Sequence, residues 1–163
     1  MTLEFEALDT MSTRVSLNSE ADSLELGDAL AAVLSPGRRL YLSGELGAGK
    51  TTIVRGILVA LGYTGRVKSP TFTLVELYDL SSIYLHHFDF YRFEAPEEWA
   101  DAGFREAFNE QNVCVVEWPE KAGNSLPRAD LHIYLEYADV GRLARIVAGT
   151  EAGLQCIRTL MNR

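Results

Sequence analysis

Gly44-Glu45-Leu46-Gly47-Ala48-Gly49-Lys50-Thr51 constrains this chain more than any other stretch. It reads G-x-x-x-x-G-K-[ST], the pattern of a phosphate-binding loop between a buried strand and a helix. Both neighbours are present. Arg38 to Ser43 is a short apolar run that predicts a buried strand. Thr51 to Leu61 carries apolar residues at helical spacing, with Gly62 as its stop. Glycines let the backbone curl so that successive N–H groups converge on one anion. The helix start adds free donors and a positive partial charge. In this frame Lys50 reaches the β- and γ-phosphates and the Thr51 hydroxyl meets Mg²⁺.

Charge narrows the partners. With 15 Lys and Arg against 23 Asp and Glu in 163 residues, the net charge is −8. That is a poor balance for gripping nucleic acid unaided, because such binding rests on neutralising phosphates. Cys114 and Cys156 make neither a metal spacing nor a disulfide framework, and Cys114 reads as a small core residue. No apolar run reaches the roughly 18 residues of a membrane span. The acidic start, Met1 to Glu6, lacks the basic opening of a secretory signal. A cytoplasmic, reduced setting is expected.

The length suggests one domain over residues 1–163, with residues 1–12 an extended arm. Thr13 to Leu17 alternates like an edge strand. Asn18 and Ser19 are cap candidates for a helix from Glu20 to Leu34, broken by Pro36-Gly37. After the P-loop helix, Gly62 to Thr71 reads as a loop, either switch-like and facing the phosphates or a plain surface loop. Phe72–Tyr78 and Ser82–His87 form a predicted hairpin. Helices are expected from Glu94 and over Phe104–Asn109. Asp130–Tyr137 and Gly141–Ala148 read as a second hairpin at the sheet edge, and Glu151 to Met161 as a terminal helix. The expected fold is a three-layer α/β P-loop NTPase-like domain. Its mixed sheet has a parallel core, flanking antiparallel hairpins and helices on both faces.

Two carboxylates stand out. Asp89 follows a strand and suits the orientation of a water or of a metal's water shell, although a turn or capping role is equally open. Glu117 ends the apolar run Val113-Cys114-Val115-Val116, the shape of a Walker B strand delivering an acid to Mg²⁺, with Glu where Asp is commoner. Trp118 fits either the core or the nucleotide's surroundings. His86 and His87 have no partners at zinc spacing.

Four blocks together resemble the bacterial P-loop ATPase family called TsaE, also YjeE. They are Gly44 to Thr52, Val67 to Val75, His87 to Arg92 and Val116 to Glu120, within a match over about residues 13–148. The resemblance implies an ATPase that is slow alone, uses ATP and Mg²⁺, and yields ADP. It supports threonylcarbamoyladenosine formation in tRNA beside the TsaD and TsaB pair, resetting or remodelling that complex. Contact with tRNA would then be indirect. Carried over by position, Leu46, Gly47, Ala48, Gly49, Lys50 and Thr51 hold the phosphates, and Thr51 with Glu117 binds Mg²⁺. Thr52 and Asp89 support hydrolysis alongside Lys50, Trp118 lies by the nucleotide and Glu20 near the base. For the γ-phosphate, Arg92 or Arg66 is a candidate cation in cis, with a partner's cation as the alternative. Two alternatives remain: a small-molecule kinase, and a nucleotide-gated binding module without turnover. The absence of an N-K-x-D stretch disfavours a GTPase.

Overall fold

The structure, a computed structural model, describes residues 3–163. One eight-stranded mixed sheet organises it. The strands are β1 (Phe5–Ala7), β2 (Ser12–Leu17), β3 (Arg39–Ser43), β4 (Val75–Asp79), β5 (Tyr84–Asp89), β6 (Asn112–Glu117), β7 (Leu131–Tyr137) and β8 (Arg142–Ala148). Their order across the sheet is β1-β2-β8-β7-β3-β6-β5-β4. β7, β3, β6 and β5 run parallel, and the other pairings are antiparallel. The expected mixed sheet with a parallel core is therefore present.

Several expectations shift in detail. The stretch at 13–17 is not an edge, because Phe5–Ala7 pairs outside it. Part of the expected arm is thus a strand, and residues 1 and 2 lie outside the described residues. The hairpin β7–β8 is not at the edge either, since β7 joins β3 and β8 joins β2. Hairpin chemistry is local, whereas position in a sheet depends on distant pairing. The predicted strand from Phe72 begins only at Val75, because Pro70 to Leu74 closes a turn through a Leu74 N–H to Pro70 O bond.

Three longer helices, α1 (Glu20–Ala31), α2 (Lys50–Ala60) and α4 (Glu151–Met161), share one face of the sheet. Their apolar stripes bury Leu26, Leu30, Ile53, Ile57, Ile157 and Leu160 against Leu40, Leu42, Leu85, Val113, Val115 and Ile133. Each such side chain contributes roughly 1.5–3 kcal/mol. α1 starts at Ser19, whose side chain accepts from the Asp22 N–H, and ends three residues before the predicted Leu34. α1 and α2 touch backbone to backbone at Gly27 and Gly56, where a Cβ would lie 2.4 Å from the facing carbonyl oxygens of Ile53 and Leu24.

The other face is covered over β3, β6 and β5 by shorter pieces. These are α3 (Glu98–Asp101) and single 3-10 turns at Arg105–Ala107 and Pro119–Ala122. The first two stand where helices were predicted from Glu94 and over Phe104–Asn109, and the turn at Pro119–Ala122 was not predicted; this layer gains its stability from aromatic packing rather than helix length. Phe88 packs on Phe90, Phe104 and Phe108 with centroids 5.1–5.7 Å apart, and Trp99 is fully buried. Cys114 is part of this core, and burial pushes its thiol up to about 12.

Candidate functional site

The site forms where the parallel strands end. Ser43, Asp89 and Glu117 are the last residues of β3, β5 and β6, so their C-terminal ends converge on one edge of the layer. Ligands in open α/β sheets bind outside these ends. Asp89 lies directly beside Glu117 in the β5–β6 register. Strand alternation then puts Leu85, His87 and Asp89 on the same face as Val113, Val115 and Glu117, the face that α2 covers.

Between β3 and α2 the chain turns through residues 44–49. Gly49 caps α2 at φ 107° with no side-chain cap bond. An L side chain resists that angle, and the first N–H groups of the helix are left for an external acceptor. Lys50 is 5% exposed; its ammonium donates to the carbonyls of Gly44 and Glu45 and lies 4.5 Å from the Trp118 ring centroid. Burial lowers its pKa, opposed by the carboxylates of Glu117, Asp89 and Glu120.

Thr51 Oγ1 donates to Glu117 Oε2 at 3.0 Å. A hydroxyl and a carboxylate at this separation are two hard oxygen donors of the kind that Mg²⁺ takes beside phosphate and water. Among the described residues no cluster of three or more His, Cys, Asp or Glu makes a metal site by itself. His87, fully buried, holds the same Glu117 oxygen through Nε2 at 2.6 Å and so orients the carboxylate.

Asp89 is 4% exposed. Oδ1 accepts the Tyr91 N–H at 2.9 Å and Oδ2 accepts the Thr71 hydroxyl at 3.1 Å. Burial raises its pKa, offset by these donors. Thr71 belongs to the 62–74 loop, so the switch-like reading of that loop fits its position. Trp118 has φ 59°, a left-handed conformation rare for a bulky residue, and packs on Tyr91 at 5.0 Å. Such strain collects at functional sites.

Two adjoining cavities hold the predicted residues. One, about 270 Å³, is lined by Leu46, Gly47, Gly49, Lys50, Thr51, Thr52, Asp89, Glu117 and Trp118, with Ser69 and Thr71. The other, about 380 Å³, is lined by Ala48 and Glu20, and shares Gly47, Gly49 and Thr52 with the first. Thr52 thus stands at their junction. Arg66 and Arg92 do not line either cavity. Both are exposed, and the Arg92 guanidinium stacks 4.2 Å from the Phe72 ring.

Three contributors escaped the sequence reading. His87 was weighed only as a zinc ligand, although it opens the block His87 to Arg92 and stands two residues before Asp89 on a strand. Tyr137 and Arg142 had none, since they reach the P-loop carbonyls of Leu46 and Gly47 across 91 and 95 residues.

A larger cleft of about 690 Å³ lies on the opposite face, between β3, β7 and residues 119–129. There Ser43 Oγ donates to Glu120 at 2.8 Å. His132 Nε2 therefore donates to Ser43 Oγ at 2.7 Å, and Nδ1 accepts from the Tyr134 hydroxyl at 3.2 Å. This cleft has no phosphate loop, and size alone does not make it the site.

A parallel-sheet core, a glycine loop opening a helix, a basic and a hydroxyl side chain in that helix's first turn, and two acidic side chains at the strand ends define a P-loop nucleotide-binding protein. Residues 17–145 match the family described as Threonylcarbamoyl adenosine biosynthesis protein TsaE, and the chain belongs to that family. A Haemophilus influenzae protein named tRNA threonylcarbamoyladenosine biosynthesis protein TsaE is 44% identical over 123 residues, 76% of this chain and 78% of its own. A Bacillus subtilis protein of the same name is 44% identical over 108 residues, 66% of this chain and 67% of its own. The crystal structure of YdiB, also from Bacillus subtilis, superposes with a TM-score of 0.76 at 27% identity, covering 99% of this chain and 97% of that one. Among the described residues, no helix is long and apolar enough to cross a membrane.

Proposed function

We propose that this chain is a Mg²⁺-dependent ATPase, acting as one P-loop unit in the cytoplasm, that supports threonylcarbamoyladenosine formation in tRNA. It binds and hydrolyses ATP to reset or remodel a TsaD–TsaB transferase pair, and that pair holds the tRNA. The observation that carries the reading is the meeting of the Gly44–Thr51 loop with Glu117 and Asp89 at three strand ends. Relatives of the same family carry the threonylcarbamoyladenosine name, and the net charge of −8 favours indirect contact with tRNA.

The backbone donors from Leu46 to Thr51 cradle the phosphates. Lys50 leaves its carbonyl partners for the β- and γ-phosphates. Thr51 and Glu117 would hold Mg²⁺, which would supply charge neutralisation at the γ-phosphoryl group. Asp89, fixed by Thr71 and Tyr91, orients the attacking water and takes up its proton. Thr52 supports hydrolysis from the junction of the two cavities. Trp118 flanks the phosphate side, and Glu20 flanks the base. With Arg66 and Arg92 lining neither cavity, a partner supplies the last cation at the γ-phosphate. A slow rate in isolation follows, because one finger cation alone is worth about 10³–10⁵ in rate.

A small-molecule kinase would need a mobile lid over an acceptor. The segment that would form one, residues 94–110, is instead anchored by Trp99, Phe104 and Phe108 in the aromatic core.

The test is ATP hydrolysis with Mg²⁺, alone and with the partner pair and tRNA. Weak turnover that rises strongly in the complex is expected. Asp89→Ala should keep nucleotide binding and lose turnover, whereas Lys50→Ala should lose affinity. Retained hydrolysis in folded Asp89→Ala sinks the assignment of Asp89. Binding without turnover in either condition sinks the ATPase reading in favour of a nucleotide-gated binding module.

A further inference from the structure

The hairpin β7–β8 does more than continue the sheet. Its turn is wedged between the two walls of the 380 Å³ cavity. On one side Gly141, at φ 67°, abuts the end of β2, where the chain turns toward α1, so closely that a Cβ would lie 2.1 Å from Leu17 O and 2.7 Å from Asn18 Cα. On the other side the hairpin grips the phosphate loop. The Tyr137 hydroxyl donates to Leu46 O at 3.0 Å, and Arg142 Nη2 donates to Gly47 O at 3.3 Å. The two side chains brace each other, with the guanidinium carbon 4.2 Å from the Tyr137 ring centroid.

A trans peptide unit has its C=O and N–H pointing in opposite directions. Holding Leu46 O outward on Tyr137 therefore holds the Gly47 N–H inward, toward the phosphates. A preformed donor costs no reorganisation when the ligand arrives. Arg142 adds charge. It is the only Lys or Arg among the residues lining the 380 Å³ cavity, and its Nε has no partner among the described residues. An anion entering between Glu20 and Gly47 meets that guanidinium.

We propose that Tyr137 and Arg142 are positioning residues that pre-set the phosphate loop for a nucleoside di- or triphosphate, with Arg142 also contributing its charge to the ribose-phosphate end of the ligand. This rests on the nucleotide reading above.

The experiment measures binding of Mg²⁺–ADP by calorimetry to the unmodified protein and to Tyr137→Phe, Arg142→Gln and Arg142→Lys. It adds KM and kcat for ATP and the thermal midpoint of the nucleotide-free proteins. Tyr137→Phe removes one hydroxyl and Arg142→Gln one charge. Each should weaken ADP by about fivefold to tenfold, the size of one lost hydrogen bond or charge contact. KM for ATP should rise by more than kcat falls, with the midpoint within about 2 °C, a shift worth under about 1 kcal/mol for a chain of this size. Arg142→Lys, which keeps the charge but not the fork, should recover part of the affinity. Unchanged ADP affinity in both Tyr137→Phe and Arg142→Gln overturns the proposal. So does a lowered midpoint with an unchanged KM, the mark of a merely structural role. If the unmodified protein binds no ADP, the nucleotide reading itself falls, and this proposal with it.

Discussion

Gly27→Ala tests how tightly the nucleotide cleft depends on the contact between α1 and α2. A Cβ at position 27 would lie 2.4 Å from Ile53 O, 2.7 Å from Ile57 N and 2.8 Å from the Gly56 carbonyl carbon. Ordinary contact begins near 3.4 Å, so the two helices must separate by 3.4 − 2.4 = 1.0 Å. All three atoms are backbone, and α2 is held against the sheet by Ile53, Val54, Ile57 and Leu58, each fully buried. No side chain can turn away to make room. Overpacking of this kind costs about 1–3 kcal/mol, and the rigid neighbours place this case near 3. Ala gains about 1 kcal/mol of helix propensity over Gly. The expected net loss is about 2 kcal/mol, which is about 4–8 °C in thermal midpoint at this chain length. Urea denaturation followed by circular dichroism measures it. Asp28→Ala is the control, because Asp28 is exposed and its 3.5 Å pair with Arg163 is a surface contact worth under about 1 kcal/mol. Separation of the helices also moves Glu20 and Ser23 away from Thr52 across the cleft. ADP affinity should fall by about tenfold or more, given the sensitivity of bound geometry to displacements near 1 Å. A Gly27→Ala protein as stable as the unmodified one, with Asp28→Ala also unchanged, would refute the reasoning.

Two further outcomes follow from the packing. Asp130 is 9% exposed, and its oxygens accept the Arg39 N–H at 2.8 Å and the Thr150 hydroxyl at 2.6 Å, tying β3 and the cap of α4 to the start of β7. Asp130→Ala should cost about 2–3 kcal/mol in chemical denaturation, since it strands a buried donor; a loss below about 0.5 kcal/mol would contradict that role. Burial, helped by Arg145 and opposed by Glu120, pushes His132 down from 6.5 to about 4. The unfolded chain then takes up the proton first, so stability is full above about pH 6.5 and is lost as pH falls toward 4. The full shift corresponds to at most about 3 kcal/mol, and the partly solvent-open ring reduces this to roughly half. His132→Gln should flatten the stability profile between those pH values; an unaltered slope would exclude His132 as its source.

Much of the site was legible because its chemistry is local in sequence. A phosphate loop needs its glycines, lysine and hydroxyl at fixed spacing between a strand and a helix, and that spacing survives translation into one dimension. Asp89 and Glu117 were legible for a related reason, since each closes an apolar run and so marks a strand end. Glu20 and Trp118 came from family resemblance, and the cavities place both beside the loop. Arg66 and Arg92 were drawn in by their positions near the loop and the strand end, yet neither side chain reaches the cavities. Spacing along a chain does not say which way an exposed side chain points.

The sequence by itself determined the P-loop, the types and approximate places of most strands, the hairpins β4–β5 and β7–β8, and which residues are the candidates for phosphate and metal chemistry. These are set by local periodicity, turn residues and motif spacing. Only the tertiary structure decided that β7–β8 lies inside the sheet, that His87 orients Glu117, that Gly27 meets Gly56, and that Tyr137 and Arg142 hold the phosphate loop. Each of those depends on register between strands or helices far apart in the chain. Register is chosen by the packing free energy of the whole core, and no short stretch of sequence encodes it.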